Sequence, residues 1–243
     1  TSTSTTCCPR RPRQLGGRHQ VATAVNTPEE LTSAAELFVL AVKPVYVKDA
    51  LRACCKGLAG KAVVSIVAGL SGAALAKQLP EGTRCLQTMP NTPAMVNEGV
   101  TALCEENTLT QEELDFVRRM FSAIGRVYTL PARLIEAESA VAGSGPAYAA
   151  MFIEAMADGG VLLGLPRAQA MEMAAQTLIG TAKMMLESGK HPGAIKDMVC
   201  SPGGTTIEAV RALEKGAFRA STIEAVVAAG EKALAIKRDT EKG

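Results

Sequence analysis

The hydrophobic pattern of this chain changes near Leu130, and that change limits the possible folds more than any other feature. Before Leu130, short apolar runs alternate with helical patterns, and Pro or Gly residues separate them. After Leu130, the apolar residues keep helical spacing almost to the C-terminus. Short buried strands that alternate with helices are typical of a mostly parallel sheet covered on both faces. The pattern therefore predicts an α/β region followed by an all-helical region.

The individual segments can be located from the same pattern. Strands are predicted over 37–42, 62–67, 84–89, 99–104 and 126–130. Helices are predicted over 46–56, 69–79 and 111–124, and then over 135–141, 146–163, 166–188, 193–199, 206–215 and 219–237. We expect a domain boundary near residue 131, with an α/β domain over 1–130 and a helical domain over 131–243.

Composition excludes several classes of function. Among 243 residues the net charge is only +2 and aromatic residues make up 3%, which argues against nucleic-acid binding. No stretch is long and apolar enough for a transmembrane helix, so no membrane partner is expected. The seven cysteines form no C-x-x-C pair and only two histidines accompany them, so no metal site is predicted.

The same residues bear on the cellular compartment. An odd number of cysteines without paired spacing suits a reducing compartment, and we expect the cytoplasm. The N-terminal segment 1–20 is rich in Ser, Thr and Arg and has no acidic residue. This composition fits an organellar transit peptide, a disordered lead-in or a spliced remnant of a missing domain start, and the residues alone do not distinguish these.

The segment 201–208 predicts a binding site for a small anion. A proline and two glycines make a tight turn, and an apolar helical run follows. Thr205 and Glu208 have the spacing of a capping box, which predicts a helix start at Thr205 or Thr206. Backbone N–H groups at a helix N-terminus and nearby hydroxyls, including that of Ser201, can bind a carboxylate or phosphate. The alternative is an ordinary loop with a good N-cap.

Three further segments contain Pro or Gly at the ends of predicted elements. They are A-V-K-P at 41–44, M-P-N-T-P at 89–93 and G-S-G-P-A-Y at 143–148. The first two follow predicted parallel strands, where ligands of open α/β sheets bind. Asn91 supplies an amide that can pair with a carboxamide. Taken singly, each segment also fits a turn without any binding function.

Together and in order, these segments resemble the pyrroline-5-carboxylate reductase family. Four more elements add to the resemblance: D-G-G-V-x-x-G-L at 158–165, Q-T-x-x-G at 176–180, H-P-G at 191–193 and S-P-G-G-T-T at 201–206. The resemblance covers about residues 26 to 236. It implies a Rossmann-like sheet, an all-helical dimerisation domain, and a homodimer or a ring of dimers.

The resemblance also implies a reaction, the NADPH- or NADH-dependent reduction of the imine of 1-pyrroline-5-carboxylate to L-proline. The substrate carboxylate would bind the turn formed by Ser201, Gly203, Gly204 and Thr205, and Thr206 would be the catalytic residue, bound to the ring nitrogen. The cofactor-binding positions implied are Asn26 at the adenosine, Ala41, Val42, Lys43, Pro44, Ala68 and Gly69 along the groove, and Asn91 at the nicotinamide.

One departure from the family pattern concerns the N-terminus. The family opens with a strand and a G-x-G-x-x-G turn for the pyrophosphate, and here Gly16-Gly17 lies in no such context, with no strand expected before it. About thirty residues of the pattern are missing, so we expect the first βα unit to be missing and the α/β domain to be incomplete at its N-terminus. A fragment, a gene-model error or a truncated isoform would explain it. The chain as written is expected to bind NADPH weakly.

Two other functions compete with this interpretation. A different imine or β-hydroxyacid reductase would share the architecture, but such enzymes typically place a catalytic Lys on the first long helix of the helical domain. The segment 146–164 contains no Lys. The second alternative is a non-catalytic assembly or regulatory subunit that retains the helical dimerisation domain but cannot hold nucleotide. Oligomer formation itself is predicted from the helix over 166–188, because its apolar residues cover more than one face.

Overall fold

The computed structural model describes residues 2–4 and 22–242, so the segment that contains Gly16-Gly17 lies outside the described residues. The chain divides into two compact units. The first contains the described residues up to Gly143 together with those from Gly230 onward, and the second is Ser144–Ala229. The division between these units lies at Ser144, later in the chain than residue 131. The domain boundary at residue 131 stays a prediction.

The strands of the described ranges all lie before Pro131. They are β1 (Ser2–Ser4), β2 (Ala22–Ala24), β3 (Leu37–Leu40), β4 (Ala62–Ser65), β5 (Arg84–Pro90), β6 (Gly99–Cys104) and β7 (Gly125–Leu130).

The helices become continuous after β7. They are α1 (Pro28–Ala34), α2 (Val47–Leu58), α3 (Gly72–Ala76), α4 (Gln111–Ser122), α5 (Ile135–Glu138), α6 (Gly145–Leu162), α7 (Arg167–Ser188), α8 (Pro192–Val199), α9 (Thr205–Lys215) and α10 (Phe218–Lys242). Short 3-10 helices cover Pro44–Tyr46, Thr92–Val96 and Ala132–Leu134, and a π-helix covers Ser139–Gly143. None of the helices in the described ranges has the length and apolarity needed to cross a bilayer.

The five-stranded sheet of the described residues has the order β3-β4-β5-β6-β7. Strands β3, β4 and β5 are parallel to one another, with Leu37 opposite Ala62 and Ala62 opposite Arg84. Strand β6 returns antiparallel to β5 because only a short connection joins them, and β7 is parallel to β6. The predicted mostly parallel α/β sheet and the helical region after it are confirmed.

A second, two-stranded sheet pairs β1 with β2 in parallel, with Thr3 opposite Thr23. The expectation that no strand precedes Gly16-Gly17 was therefore wrong. Thr has two heavy-atom branches on Cβ and favours extended backbone, which is consistent with strand pairing at Thr3.

The core of the sheet lies on both of its faces. Successive residues of β4 point to opposite sides, so Val63 packs with Leu51 of α2 while Val64 packs with Phe121 of α4. All four are at least nine-tenths buried. The helices on the two faces leave the loops at the ends of the strands exposed, and these loops carry the candidate cofactor residues, whereas the candidate substrate residues lie in the second unit.

The second unit has a much smaller core. Its buried cluster consists of Ala157, Ala170 and Ala174, with Ile153 and Val161 packed against it. Many large apolar side chains of the same unit are exposed, among them Met151, Leu162, Met173, Ile179, Leu186, Met198 and Ile223.

Candidate functional site

A tight turn connects α8 to α9 and brings the predicted substrate residues together. The N–H of Gly204 donates to the carbonyl of Ser201 at 3.0 Å, which closes a turn over Pro202 and Gly203. Gly203 has φ +68°, a conformation that only glycine adopts readily, and Pro202 precedes it as in a type II turn. Helix α9 begins at Thr205, as predicted.

The predicted capping box at this helix is wrong. Gly204 occupies the N-cap position with an extended backbone, and no side chain caps the helix. Because Thr205 already lies inside the helix, its side chain cannot bind the N–H group three residues on. Glu208 instead accepts two hydrogen bonds from Arg211, at 2.7 and 2.9 Å. The N–H groups of the first turn of α9 therefore have no side-chain partner within the helix and are suited to bind an anion.

The hydroxyls around this turn differ in exposure. Ser201 and Thr205 are exposed, whereas Thr206 is half-buried. In the interior of α7, the hydroxyls of Thr177 and Thr181 donate to carbonyls one turn earlier, at 2.7 and 2.9 Å. Thr206 is the second residue of its helix and has no helical carbonyl one turn earlier. Its hydroxyl is thus suited to bind a ligand.

The loops after β3 and β4 carry most of the predicted cofactor residues. Because these strands are parallel, their carboxyl ends lie at one edge of the sheet. Ala41, Lys43 and Pro44 are exposed after β3, whereas Val42 packs against the core. A cavity of about 440 Å³ lies at this edge. Both Pro44 and Ala68 line it, so the structure brings the two loops together.

The C-terminal part of α10 lies against the loop after β4. Gly69 has φ +75°, and the Ile236 Cγ2 atom is 2.7 Å from the position that a Cβ on Gly69 would take. Thr240 also lines the cavity beside Pro44 and Ala68. Ile236 therefore covers Gly69, and Ala68 is the exposed residue of this predicted pair. The sequence contained no signal for this contact, because residues 69 and 236 are far apart along the chain.

Asn26 does not line the cavity. It is exposed between β2 and α1, and its backbone N–H donates to the Glu30 carboxylate at 2.9 Å. The Thr27 hydroxyl accepts from the N–H of Glu30 at 3.2 Å and caps α1.

Asn91 follows β5, at the same edge of the sheet, but both atoms of its amide have backbone partners. The Val100 N–H donates to Asn91 Oδ1 at 2.8 Å. Asn91 Nδ2 donates to the Ala142 carbonyl at 2.9 Å. A cofactor carboxamide that paired with this amide would have to bind Oδ1 and Nδ2 in addition to their backbone partners.

Two buried carboxyl groups near the π-helix were not predicted. Lys237 pairs with Glu136 at 2.9 Å, and their side chains are 18% and 9% exposed. Within the described residues, both carboxyl oxygens of Glu138 are buried without a hydrogen-bond partner. Burial raises the pKa of Glu138 to about 7. The only available signal was the presence of two glutamates in an otherwise apolar helical segment.

The described part of the chain contains no group of three His, Cys, Asp or Glu side chains arranged to hold a metal ion. Its cysteines at 54, 55, 85, 104 and 200 are free thiols. Burial raises the pKa of Cys104 to about 11, and its thiol donates to Glu106 at 3.4 Å, so this sulfur is a poor nucleophile.

Comparisons with known proteins extend over most of the chain. A family model described as pyrroline-5-carboxylate reductase dimerisation matches residues 132–236. The pyrroline-5-carboxylate reductase of Escherichia coli is 46% identical over 210 residues, which cover 86% of this chain and 78% of that protein.

Two solved structures are also similar. A Plasmodium falciparum pyrroline carboxylate reductase with NADP bound superposes with a TM-score of 0.82 at 30% identity, covering 89% of this chain and 82% of that one. A pyrroline-5-carboxylate reductase from Coxiella burnetii gives a TM-score of 0.86 at 28% identity, covering 96% and 87%.

Proposed function

Because this chain belongs to the pyrroline-5-carboxylate reductase family, we propose that it reduces 1-pyrroline-5-carboxylate to L-proline with NADPH or NADH, the last step of proline synthesis. The observation that carries the proposal is the 46% identity to the Escherichia coli enzyme. That identity extends over 86% of this chain and 78% of the Escherichia coli protein.

The residues at the carboxyl edge of the sheet fit a dinucleotide. Ala41, Lys43, Pro44 and Ala68 are exposed there, and the small side chains of the two alanines allow close approach of a ligand to the backbone. Val42 and Gly69 would support this groove, with Asn26 at the adenosine end and Asn91 toward the nicotinamide. Reduced nicotinamide, when bound, supplies the hydride that converts the C=N bond to CH–NH.

On the substrate side, the N-terminus of α9 would bind the carboxylate. The N–H groups after Gly204 and the hydroxyls of Ser201 and Thr205 would donate to its oxygens. The imine is basic enough to arrive protonated, so its reduction needs no strong acid from the protein. Thr206 would accept a hydrogen bond from the ring N–H and hold the imine carbon in place for hydride transfer.

We further propose a homodimer, or a ring of dimers, formed through the second unit. Its buried cluster has only three alanines, while Met173, Ile179 and Leu186 on α7 are about half exposed. A second copy of the chain would cover such side chains and supply the missing core. The match to a dimerisation model over 132–236 supports this arrangement.

The proposed compartment is the cytoplasm, with an organelle as the alternative. The free thiols of the described cysteines support a reducing compartment.

The test is an assay of the purified protein with 1-pyrroline-5-carboxylate and either NADPH or NADH. We expect oxidation of the dinucleotide that depends on the substrate, and proline as the product. A folded protein that binds neither dinucleotide and forms no proline would instead support the non-catalytic subunit.

A further inference from the structure

Asn91 is an unusual N-cap residue. It precedes the 3-10 helix Thr92–Val96, yet its side chain does not cap that helix. The backbone carbonyl of Asn91 accepts from Ala94 instead, at 3.2 Å. Because Asn is a strongly preferred capping residue, the use of its amide elsewhere requires a separate explanation.

One half of the amide extends the sheet. The backbone N–H of Asn91 donates to the Val100 carbonyl at 3.1 Å, and Asn91 Oδ1 accepts from the Val100 N–H at 2.8 Å. Asn91 thus continues the antiparallel pairing of β5 with β6 one residue beyond Pro90, with a side-chain oxygen as the acceptor. This pair of hydrogen bonds fixes the orientation of the amide.

The other half of the amide binds the π-helix. Asn91 Nδ2 donates to the Ala142 carbonyl, 51 residues later in the chain, at 2.9 Å. Ala142 is the penultimate residue of the π-helix Ser139–Gly143, which directly precedes Ser144 and helix α6. Carbonyls at such a junction lack regular helical partners. Met89 supports the same position, since its Cε atom lies 3.6 Å from where a Cβ on Gly143 would be.

We propose that Asn91 is a positioning residue for the reaction, and this inference rests on the proposed function. Its amide holds the π-helix against the carboxyl end of β5, at the edge of the sheet that carries the cofactor loops. The side chain acts through Val100 and Ala142 and does not itself bind the nicotinamide. Only a group with an acceptor and a donor on the same carbon can make both hydrogen bonds at once.

Asn91→Asp tests this role because it changes a single atom. The carboxylate still accepts from the Val100 N–H, but its second oxygen faces the Ala142 carbonyl and cannot donate. We expect kcat to fall by about tenfold or more while KM for NADPH changes less than about twofold, because hydride transfer depends on precise placement.

A pH profile separates positioning from general loss of structure. A protonated Asp has one donor and one acceptor, so it restores both hydrogen bonds. The activity of Asn91→Asp relative to that of the unmodified protein should therefore rise as the pH falls toward the pKa of this carboxyl. Asn91→Ser, which is too short to reach Ala142, should lose activity without recovery at low pH, and it serves as the second variant if Asn91→Asp does not fold.

Asn107 provides the matched control. Its amide also uses both atoms, accepting from Leu109 and donating to the carbonyls of Cys104 and Glu105, but all of these partners lie within three residues of it along the chain. Asn107→Asp should lower stability without changing kcat or introducing a new pH dependence.

The outcomes distinguish the two proposals. Lack of turnover by the unmodified protein would overturn the proposed function, and the inference about Asn91 with it. If that protein is active, an increase of tenfold or more in KM for NADPH with unchanged kcat would make Asn91 a cofactor ligand. Unchanged kinetics of Asn91→Asp and Asn91→Ser would refute any role in the reaction.

Discussion

At the scale of single residues, the turn before α9 depends on the backbone of Gly203. Its φ of +68° lets the chain reverse between Pro202 and Gly204, so that the N–H groups of α9 begin directly after the turn. The side chains around it contribute hydroxyls, of which that of Thr206 is half-buried. The backbone conformation at Gly203 and the hydroxyl of Thr206 can therefore be tested by separate substitutions.

Gly203→Ala should lower the free energy of unfolding by about 1 kcal/mol, because an L-residue is strained at this φ. It should also lower kcat/KM for 1-pyrroline-5-carboxylate by distorting the turn. Gly60→Ala is the control, since Gly60 has φ +76° and no atom within 4 Å of the added Cβ, but it lies between α2 and β4. Urea unfolding should show that both variants lose a similar amount of unfolding free energy. Only Gly203→Ala should also change the steady-state kinetics with 1-pyrroline-5-carboxylate. Unaltered kinetics for both would contradict the role of the turn.

Thr206→Ala should lower kcat by about 10- to 100-fold, which corresponds to the loss of one hydrogen bond worth about 1–3 kcal/mol in the transition state. Thr206→Ser keeps the hydroxyl and should retain most of the activity. Steady-state kinetics with 1-pyrroline-5-carboxylate measures both variants. Full activity of Thr206→Ala would remove this residue from the mechanism.

At the scale of elements, two carboxyl groups on helices differ in whether a basic side chain of the sheet binds them. Arg84 of β5 binds Glu113 of α4 through three hydrogen bonds of 2.7 to 3.1 Å, and Glu113 also completes the capping box of α4 with Thr110. The hydrogen bonds from Arg84 lower the pKa of Glu113. In α5, by contrast, both carboxyl oxygens of Glu138 are buried and have no hydrogen-bond partner among the described residues.

Arg84→Met should lower the free energy of unfolding by about 1–2 kcal/mol, because it leaves a carboxylate that is only 19% exposed without its partner. Arg52→Met should change it by less than about 0.5 kcal/mol, since Arg52 and Asp49 are highly exposed and 4.0 Å apart. The Arg84–Glu113 pair contributes fully to the free energy of unfolding at pH values above the pKa that Glu113 has in the unfolded chain. This contribution is lost as the pH falls through the lower pKa that Glu113 has in the folded protein. Equal effects of the two substitutions at pH 7 would contradict this ranking.

Glu138 should make stability fall as the pH rises. Its folded pKa of about 7 lies above the ordinary 4.5, so the folded state binds the proton more tightly. The contribution of Glu138 to the free energy of unfolding is complete below pH 4.5. It is lost as the pH rises to about 7, and the total loss is up to about 3 kcal/mol. The free energy of unfolding of Glu138→Gln, relative to that of the unmodified protein, should therefore be larger at pH 8 than at pH 4.5. Chemical unfolding at the two pH values measures this difference. A constant difference between the variant and the unmodified protein across this range would refute the assignment.

At the scale of the whole molecule, the two units differ in how much core they contain. The first has large buried clusters on both faces of its sheet, whereas the buried cluster of the second consists of three alanines and many larger apolar side chains are exposed. Buried apolar area is the main source of folding free energy. The second unit should therefore depend on a second copy for its stability.

Ile179→Glu should weaken the oligomer, because it places a charge on an apolar face of α7. Phe116→Glu in α4 is the control, since the two side chains are 49% and 50% exposed and Phe116 belongs to the first unit. Light scattering at micromolar concentration should show a smaller species for Ile179→Glu only. A well-folded monomer of the unmodified protein would refute the dependence on a second copy.

The sequence by itself determined the order of the strands and α-helices from β3 to α10, because hydrophobic periodicity and glycine or proline breaks are local. It did not predict the 3-10 helices or the π-helix between them. It also contained a signal for α1 that the prediction missed, namely Thr27 before Pro28 with Glu30 three residues later. The loops at the carboxyl edge and the start of α9 followed from the same local patterns. Their assignment to cofactor and substrate came from family resemblance and stays a prediction.

Only the tertiary structure decided which atoms in these segments have partners. Gly204 takes the N-cap position that Thr205 was expected to fill, Ile236 covers Gly69, and Asn91 binds Ala142. Each of these depends on exact backbone geometry or on residues far apart in the chain. Local sequence patterns specify how a segment folds, but the partner of a polar atom is set by whatever the completed fold brings within about 3 Å of it.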